Sequence, residues 1–212
     1  MANKEIPFSQ ELLRKTIHLI SLSIPVVYIF VTKEFALAIL IPLCIIAIII
    51  DLLSKGKNPI HYYLFKFFGK ILRTHEVEKK YVLNGASWVL ISAVLCVFVF
   101  PKIITVVAFT ILIISDSCSA IFGRMYGKHR LFDKKSWEGT FAFFISAWVV
   151  VIIYGIIFNL PFSYFYFGIL AGIIGGFAEA ASGIMKMDDN LTIPVSAGLV
   201  LWLGDYLMNF LM

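Results

Sequence analysis

The chain is short of charged residues. Only 15% of its 212 residues are charged, whereas a soluble globular domain carries roughly 25%. Hydrophobic residues make up 60% of the chain, and the mean hydropathy is +0.93. This composition excludes an ordinary soluble domain and predicts an integral membrane protein.

Cysteine is also scarce. The three cysteines, Cys44, Cys96 and Cys118, stand alone within apolar segments, and no C-x-x-C pair occurs. Structural zinc sites and disulfide frameworks both need closely patterned cysteines. We therefore expect reduced thiols that serve packing, and no zinc site.

Long apolar segments define the predicted architecture. A transmembrane helix needs about 20 predominantly apolar residues to cross the roughly 30 Å hydrocarbon core. Seven segments meet this requirement approximately, near residues 16–32, 35–53, 83–100, 103–123, 139–158, 164–184 and 193–211. The sequence predicts an all-α polytopic membrane protein with about seven transmembrane helices and a single catalytic domain over residues 1–212.

The stretch from residue 59 to 80 has a different pattern. Apolar residues recur there at helical spacing, while lysine and arginine occupy the other faces. This pattern is typical of an amphipathic helix that lies in the membrane interface. We expect such a helix on the cytoplasmic side.

The distribution of lysine and arginine predicts the orientation. With a cytoplasmic N-terminus, all of the 18 basic residues except Lys33 and Lys102 fall on the cytoplasmic side. Positive residues are retained on that side of membrane proteins. We therefore expect the N-terminus and the active site in the cytoplasm and the C-terminus on the opposite side. The basic balance then reflects orientation and phosphate handling, and does not indicate a nucleic-acid partner.

The segment from Asp116 to Gly139 carries the strongest functional signal. Asp116 is an ionisable residue inside an apolar helix, which is costly and usually functional. Glycines at 123 and 127 allow close approach of a helix or a ligand. Ser136 is a good N-cap, and the N-terminus of the helix that it begins can receive an anion. The basic residues of this segment that suit phosphate include Arg124, Lys128 and Lys135. Glu138 could ligate a metal ion or could complement the helix N-terminus.

Carboxylates beside a phosphate-binding loop indicate a divalent cation. Magnesium takes one or two carboxylates together with substrate phosphates. Other polar residues are predicted at the same membrane face: Arg14, Lys15 and His18 in the first span, Glu179 in the sixth, and a short loop with Asp188, Asp189, Asn190 and Thr192. Asp205 lies far from them, and we interpret it as a structural carboxylate. A transporter would carry midplane polar groups and related halves, and the sequence has no internal repeat, so the transporter alternative is weaker.

Four motifs resemble the polyprenol kinase family, which includes dolichol kinases, phytol kinases and CTP-dependent diacylglycerol kinases. They occur in family order over almost the whole chain: E-L-L-R-K-T-I-H at 11–18, D-x-x-x-A-x-x-G-x-x-x-G at 116–127, K-S-W-E-G at 135–139, and E-A-A-S followed by D-D-N-L-T-I-P at 179–194. The resemblance implies transfer of the terminal phosphoryl group of a nucleoside triphosphate, commonly CTP, to a membrane lipid alcohol.

The resemblance also implies roles for the site residues. Metal binding is expected of Asp116, Glu179, Asp188 and Asp189, with Mg²⁺ as the cofactor. Nucleotide binding is expected of Arg14, Lys15, Gly123, Arg124, Gly127, Lys128, Ser136, Glu138, Gly139, Asn190 and Thr192. Asp116, Lys135, Glu179 and His18 are the expected catalytic residues, with a carboxylate or His18 acting on the lipid hydroxyl. Homo-oligomerisation is left open.

One enzyme class competes with this interpretation. CDP-diacylglycerol synthases resemble the chain from Asp116 to Gly139. Those synthases end in K-D-x-G and P-G-H-G-G-x-x-D-R elements, whereas this chain has D-D-N-L-T-I-P. The lipid kinase is therefore the favoured prediction.

Overall fold

The computed structural model describes residues 7–54, 62, 83–132 and 135–208. Within these ranges the helices are α1 (Phe8–Ile20), α2 (Ser23–Phe30), α3 (Lys33–Ser54), α4 (Gly85–Val99), α5 (Lys102–Tyr126), α6 (Trp137–Ile157), α7 (Phe162–Met185) and α8 (Asp189–Met208). A hairpin of β1 (Arg130–Phe132) and β2 (Lys135–Ser136) separates α5 from α6. The all-α polytopic class predicted from the sequence is confirmed.

Among the described residues, six helical segments are long and apolar enough to cross a membrane, counting α1 and α2 together as Phe8–Phe30. The segment predicted as the third span, residues 83–100, forms a helix that is shorter than these six. It forms α4, a helix of 15 residues, which is about 22 Å long and so falls short of the roughly 30 Å hydrocarbon core. The predicted interfacial helix at 59–80 lies outside the described residues, apart from Tyr62.

The first helices differ from the predicted span at 16–32. Helix begins at Phe8, well before residue 16, and α1 ends at a tight turn through Ser21 and Leu22. Ser21 N–H donates to the carbonyl of His18, three residues back rather than four. The earlier start brings the polar face of α1 into the helical bundle.

Helix α5 lies at the centre. It packs against α1, α2, α4, α6 and α8, and it is the most buried of the candidate spans. Large apolar side chains on the outer helices are exposed, as expected for surfaces that face lipid. Burial of α5 on all sides places Asp116 inside the protein.

The glycines of α7 allow close packing on α6, as predicted. A Cβ atom at position 168 would lie 2.3 Å from Cγ1 of Val151, and one at position 176 would lie 2.4 Å from Cε1 of Phe144. Real side chains do not approach this closely, so glycine is required at both positions for the observed distance between α6 and α7.

The polar residues at 188–192 do not form the loop that we predicted. Helix α8 begins at Asp189, and the carboxylate of Asp188 accepts the N–H of Asn190 at 3.1 Å. This contact is an N-cap, and it starts the helix five residues before Pro194. The sequence argument failed because it took Pro194 as the first helical residue.

The two lysines predicted outside the cytoplasm lie together at one end of the bundle. Lys33 donates to the carbonyl of Phe98 at 2.7 Å, and Lys102 donates to the carbonyl of Val31 at 2.6 Å. Both ammoniums therefore satisfy carbonyls at the C-terminal ends of helices. The hairpin lies at the opposite end, because α5 and α6 each run the length of the bundle.

Candidate active site

One face of α1 carries four polar side chains. Glu11, Arg14, Lys15 and His18 are spaced three or four residues apart, so they align on the helix. Glu11 is buried, and Lys15 is 1% exposed. Exposed apolar residues, including Leu12 and Ile17, occupy other faces of the helix.

Lys15 forms a buried ion pair with Asp116. Its ammonium donates to Oδ2 of Asp116, and Nε2 of His18 lies 3.6 Å from the same oxygen. The pair joins α1 to α5, and its two residues are 101 positions apart in the sequence. The first and fourth predicted spans therefore meet at one charged site, as their polar residues indicated.

A second ion pair joins Lys135, whose side chain is partly exposed, to the buried Glu179. The Lys135 ammonium donates to Oε1 of Glu179, which also accepts the hydroxyl of Ser119 at 3.1 Å. Oδ2 of Asp189 lies 3.8 Å from the same ammonium. Burial favours the neutral amine, but Glu179, Asp189 and Asp116 together raise the pKa of Lys135 above its usual value. Lys135 is therefore an ammonium at neutral pH.

Glu179 is the most deeply buried carboxylate of the site. It is 0% exposed, and its Oε2 accepts no hydrogen bond from the described residues. A buried carboxylate oxygen without a donor is unfavourable. Oε2 is thus an open acceptor beside Lys135.

Glu11 is a site residue that the sequence analysis missed. Its carboxylate contacts the guanidinium of Arg14 at 2.5 Å and that of Arg124 at 3.9 Å. It therefore links the basic residues of α1 to the end of α5. The available signal was its spacing of four and seven residues from Lys15 and His18 on one helix face.

The start of α8 completes the site. Asp189 and Asn190 are buried there, and Nδ2 of Asn190 donates to Oδ1 of Asp188 at 2.7 Å. Thr192 is also buried, and its hydroxyl has no hydrogen-bond partner among the described residues. Residues from α1, α5, β2, α7 and α8 are thus brought to one end of the bundle.

The glycines of the 116–139 segment serve helix packing. A Cβ atom on Gly139 would lie 2.8 Å from the carbonyl oxygen of Ser119, and one on Gly123 would lie 3.4 Å from Cα of Gly139. Ser136 caps α6 as predicted, since its hydroxyl accepts the N–H of Gly139 at 3.2 Å. Gly127 ends α5, and a Cβ there would lie 2.7 Å from the Ser136 hydroxyl.

Two predicted residues lie at the margin. Lys128 is exposed, and Glu138 contacts His129, whose Nδ1 lies 2.7 Å from Oε1 of the carboxylate. His129 N–H also donates to this carboxylate, at 3.2 Å. Glu138 therefore fastens the hairpin to the first turn of α6.

The site carboxylates are held by lysines. No group of three or more histidines, cysteines or carboxylates in the described ranges is arranged to hold a metal ion. Magnesium needs fewer protein ligands, because phosphates supply the others. The donor set fits that mode: Glu179 and Asp189 lie beside Lys135, Asp116 pairs with Lys15, and Oε2 of Glu179 is an open acceptor.

Comparison with known proteins gives relatives over most of the chain. An uncharacterised protein of Rickettsia prowazekii is 31% identical over 190 residues, which cover 89% of this chain and 92% of the relative. The phytol kinase of Synechocystis is 30% identical over 99 residues, 43% of this chain and 40% of that enzyme. CTP-dependent diacylglycerol kinase 1 of Schizosaccharomyces pombe is 28% identical over 151 residues, 65% of this chain and 66% of that enzyme. No family model matches, and no solved structure matches.

The fold and the site define an integral membrane protein with a buried, ion-paired polar site at one end of a helical bundle. The four sequence motifs lie at this site or on the helices that form it. The chain belongs to the polyprenol kinase family of membrane lipid kinases.

Proposed function

We propose that the protein transfers the terminal phosphoryl group of CTP to the hydroxyl group of a membrane lipid. The observation that carries the proposal is the two lysine–carboxylate ion pairs at one end of the bundle, Lys15 with Asp116 and Lys135 with Glu179. The names of the relatives, phytol kinase and CTP-dependent diacylglycerol kinase, support a lipid acceptor and CTP as the donor.

The cations of the site bind the triphosphate. Enzymes catalyse phosphoryl transfer mainly by positioning the reactants and neutralising charge on the transferred group. Lys15 lies on α1 and Lys135 on β2, and Arg14 and Arg124 share Glu11. Charge-assisted hydrogen bonds from these groups to phosphate oxygens are roughly twice as strong as neutral ones. They fix the nucleotide at the end of the bundle.

The carboxylates bind magnesium. When bound, that ion neutralises charge on the phosphates. Asp116, Glu179 and Asp189 would hold it, with Asp188 already engaged in capping α8. As the nucleotide enters, the lysine ammoniums exchange carboxylate partners for phosphate oxygens, so the site never contains an unpaired buried charge.

The lipid hydroxyl approaches from the bilayer. We propose that a carboxylate of the site accepts its proton. His18 lies 3.6 Å from Asp116 and is mostly buried, so it is placed to orient the hydroxyl. Phytol, a polyprenol and diacylglycerol all present one hydroxyl on an apolar body.

The decisive experiment follows the terminal phosphate of CTP. Purified protein in lipid is incubated with magnesium and CTP labelled at the terminal phosphorus. Attack by an alcohol on that phosphorus gives CDP and a labelled lipid phosphate. The cytidylyltransferase alternative, which the 116–139 segment also resembles, gives labelled pyrophosphate and a cytidine-bearing lipid, and this result would reject the kinase.

A matched pair of lysine variants tests the site. Lys135→Gln should sharply reduce label transfer, because it removes the ammonium beside Glu179. Lys186→Gln changes an exposed lysine just beyond α7, and its activity should match the parent protein. Equal losses in both variants would show that the effect is not specific to the site.

A further inference from the structure

A second polar cluster lies beside the candidate site, on α3 and α4. Asp51, near the end of α3, is 2% exposed. Its Oδ2 accepts the backbone N–H of Asn84 at 2.6 Å and the hydroxyl of Ser87 at 3.2 Å. Buried carboxylates are tolerated when such donors satisfy them. None of the four motifs includes these residues.

The cluster fixes the start of α4. Asn84 is the N-cap of this helix, and its side chain accepts the N–H of Ser87 at 2.9 Å. The carboxylate of Asp51 accepts hydrogen bonds from both Asn84 and Ser87. The first turn of α4 is therefore held from α3 by a buried carboxylate.

The first turn of α4 adjoins Asn190. A Cβ atom on Gly85 would lie 3.5 Å from Nδ2 of Asn190, which is ordinary contact distance. The same Nδ2 donates to Asp188, so Asn190 is confined between α4 and its own helix cap. Pro194 has no N–H, so the backbone carbonyl of Asn190 lacks its usual helical donor.

We propose that Asp51 is a positioning residue for nucleotide binding, acting through the start of α4 on Asn190 and its neighbour Asp189. This inference rests on the proposed function. Asp51 does not touch the nucleotide. It holds the surface against which Asn190 lies, and Asp189 in turn faces Lys135 at 3.8 Å.

The experiment is a double-mutant cycle with nucleotide affinity as the readout. Equilibrium binding of Mg–CTP is measured for the parent protein, Asp51→Ala, Asn190→Ala and the double variant. Groups that hold the ligands of a site in place typically contribute about 10–100-fold to its affinity, so Asp51→Ala should weaken Mg–CTP binding about tenfold. The double variant should bind like Asn190→Ala alone, since residues that act together are not additive.

Two further variants separate positioning from general stability. Asp51→Asn keeps an acceptor oxygen for Asn84 and should recover most of the affinity. Asp205→Ala removes a carboxylate near the far end of α8 and should leave Mg–CTP affinity unchanged. If Asp51→Ala does not fold, Ser87→Ala removes one donor of the same cluster, and it should weaken binding in the same non-additive manner.

The outcomes are distinct. Additive effects of Asp51 and Asn190, or a lowered unfolding temperature with parental affinity, would overturn the positioning role while leaving the kinase proposal intact. Failure of the parent protein to bind Mg–CTP would overturn the proposed function, and this inference with it.

Discussion

Each buried charge at the site depends on its partner. Lys15 and Asp116 are almost fully buried, and each is the other's nearest opposite charge. Removing one member of such a pair usually costs about 3–5 kcal/mol, whereas replacing both with uncharged residues is often neutral. Stability and catalysis can therefore be separated at this pair.

Asp116→Asn should abolish most activity and also lower the unfolding temperature, because Lys15 then lacks its counter-ion. Adding Lys15→Met to this variant should restore the unfolding temperature but not the activity. Phosphoryl transfer and thermal unfolding in detergent measure the two effects. Asp205→Asn is the control, and it should change both the phosphoryl-transfer activity and the unfolding temperature only slightly. If the double variant regained activity, Asp116 would have only a structural role.

Helix α6 depends on its first residues, both for its cap and for its contact with α5. Loss of a serine N-cap costs about 1 kcal/mol. Ser136→Ala should therefore lower the unfolding temperature, and it should also reduce activity because Lys135 immediately precedes the cap. Ser146→Ala is a matched control in the same helix, since Ser146 donates only to carbonyls of its own helix. Equal shifts in both variants would contradict the capping role.

Contact between α5 and α6 requires glycine at 139. Gly139→Ala would place Cβ 2.8 Å from the backbone oxygen of Ser119, and a backbone atom cannot rotate away. Overpacking of this kind costs about 1–3 kcal/mol, so the unfolding temperature should fall. Gly175→Ala is the control, because its Cβ would meet side chains at 3.6 Å or more. Destabilisation of the Gly175 variant alone would contradict the packing argument.

The orientation of the whole bundle is a prediction from charge. Lys128→Cys places a thiol beside the hairpin. Phe162→Cys places a thiol at the start of α7, at the opposite end of the bundle, where the Phe162 side chain is 72% exposed. In intact cells an impermeant thiol reagent should label the second variant and not the first, which should react only after lysis. The native protein, whose Cys44 and Cys96 are buried and Cys118 half-buried, gives the background. The reverse pattern would place the site outside the cytoplasm.

Composition and periodicity were sufficient for the class, because spanning a membrane imposes length and apolarity on each helix. They also identified most of the polar residues that the fold brings to one end of the bundle, since an ionisable residue such as Asp116 is conspicuous in an apolar segment. The start of α8 was less predictable. Asp188 shows that a single side-chain contact can begin a helix several residues before the apolar segment, and only the coordinates showed it.

The sequence by itself determined that this is an all-α membrane protein of the polyprenol kinase family, with polar residues concentrated towards one end of its helices. Only the tertiary structure decided which charges pair. Lys15 and Asp116 are distant in sequence, and nothing local to either one specifies the other. Their pairing results from the packing of α1 on α5, and the roles of Glu11 and Asp51 depend equally on contacts between helices. Hydrophobicity acts residue by residue and is visible in a sequence, whereas the energy of a buried ion depends on the distance to its partner in the folded chain.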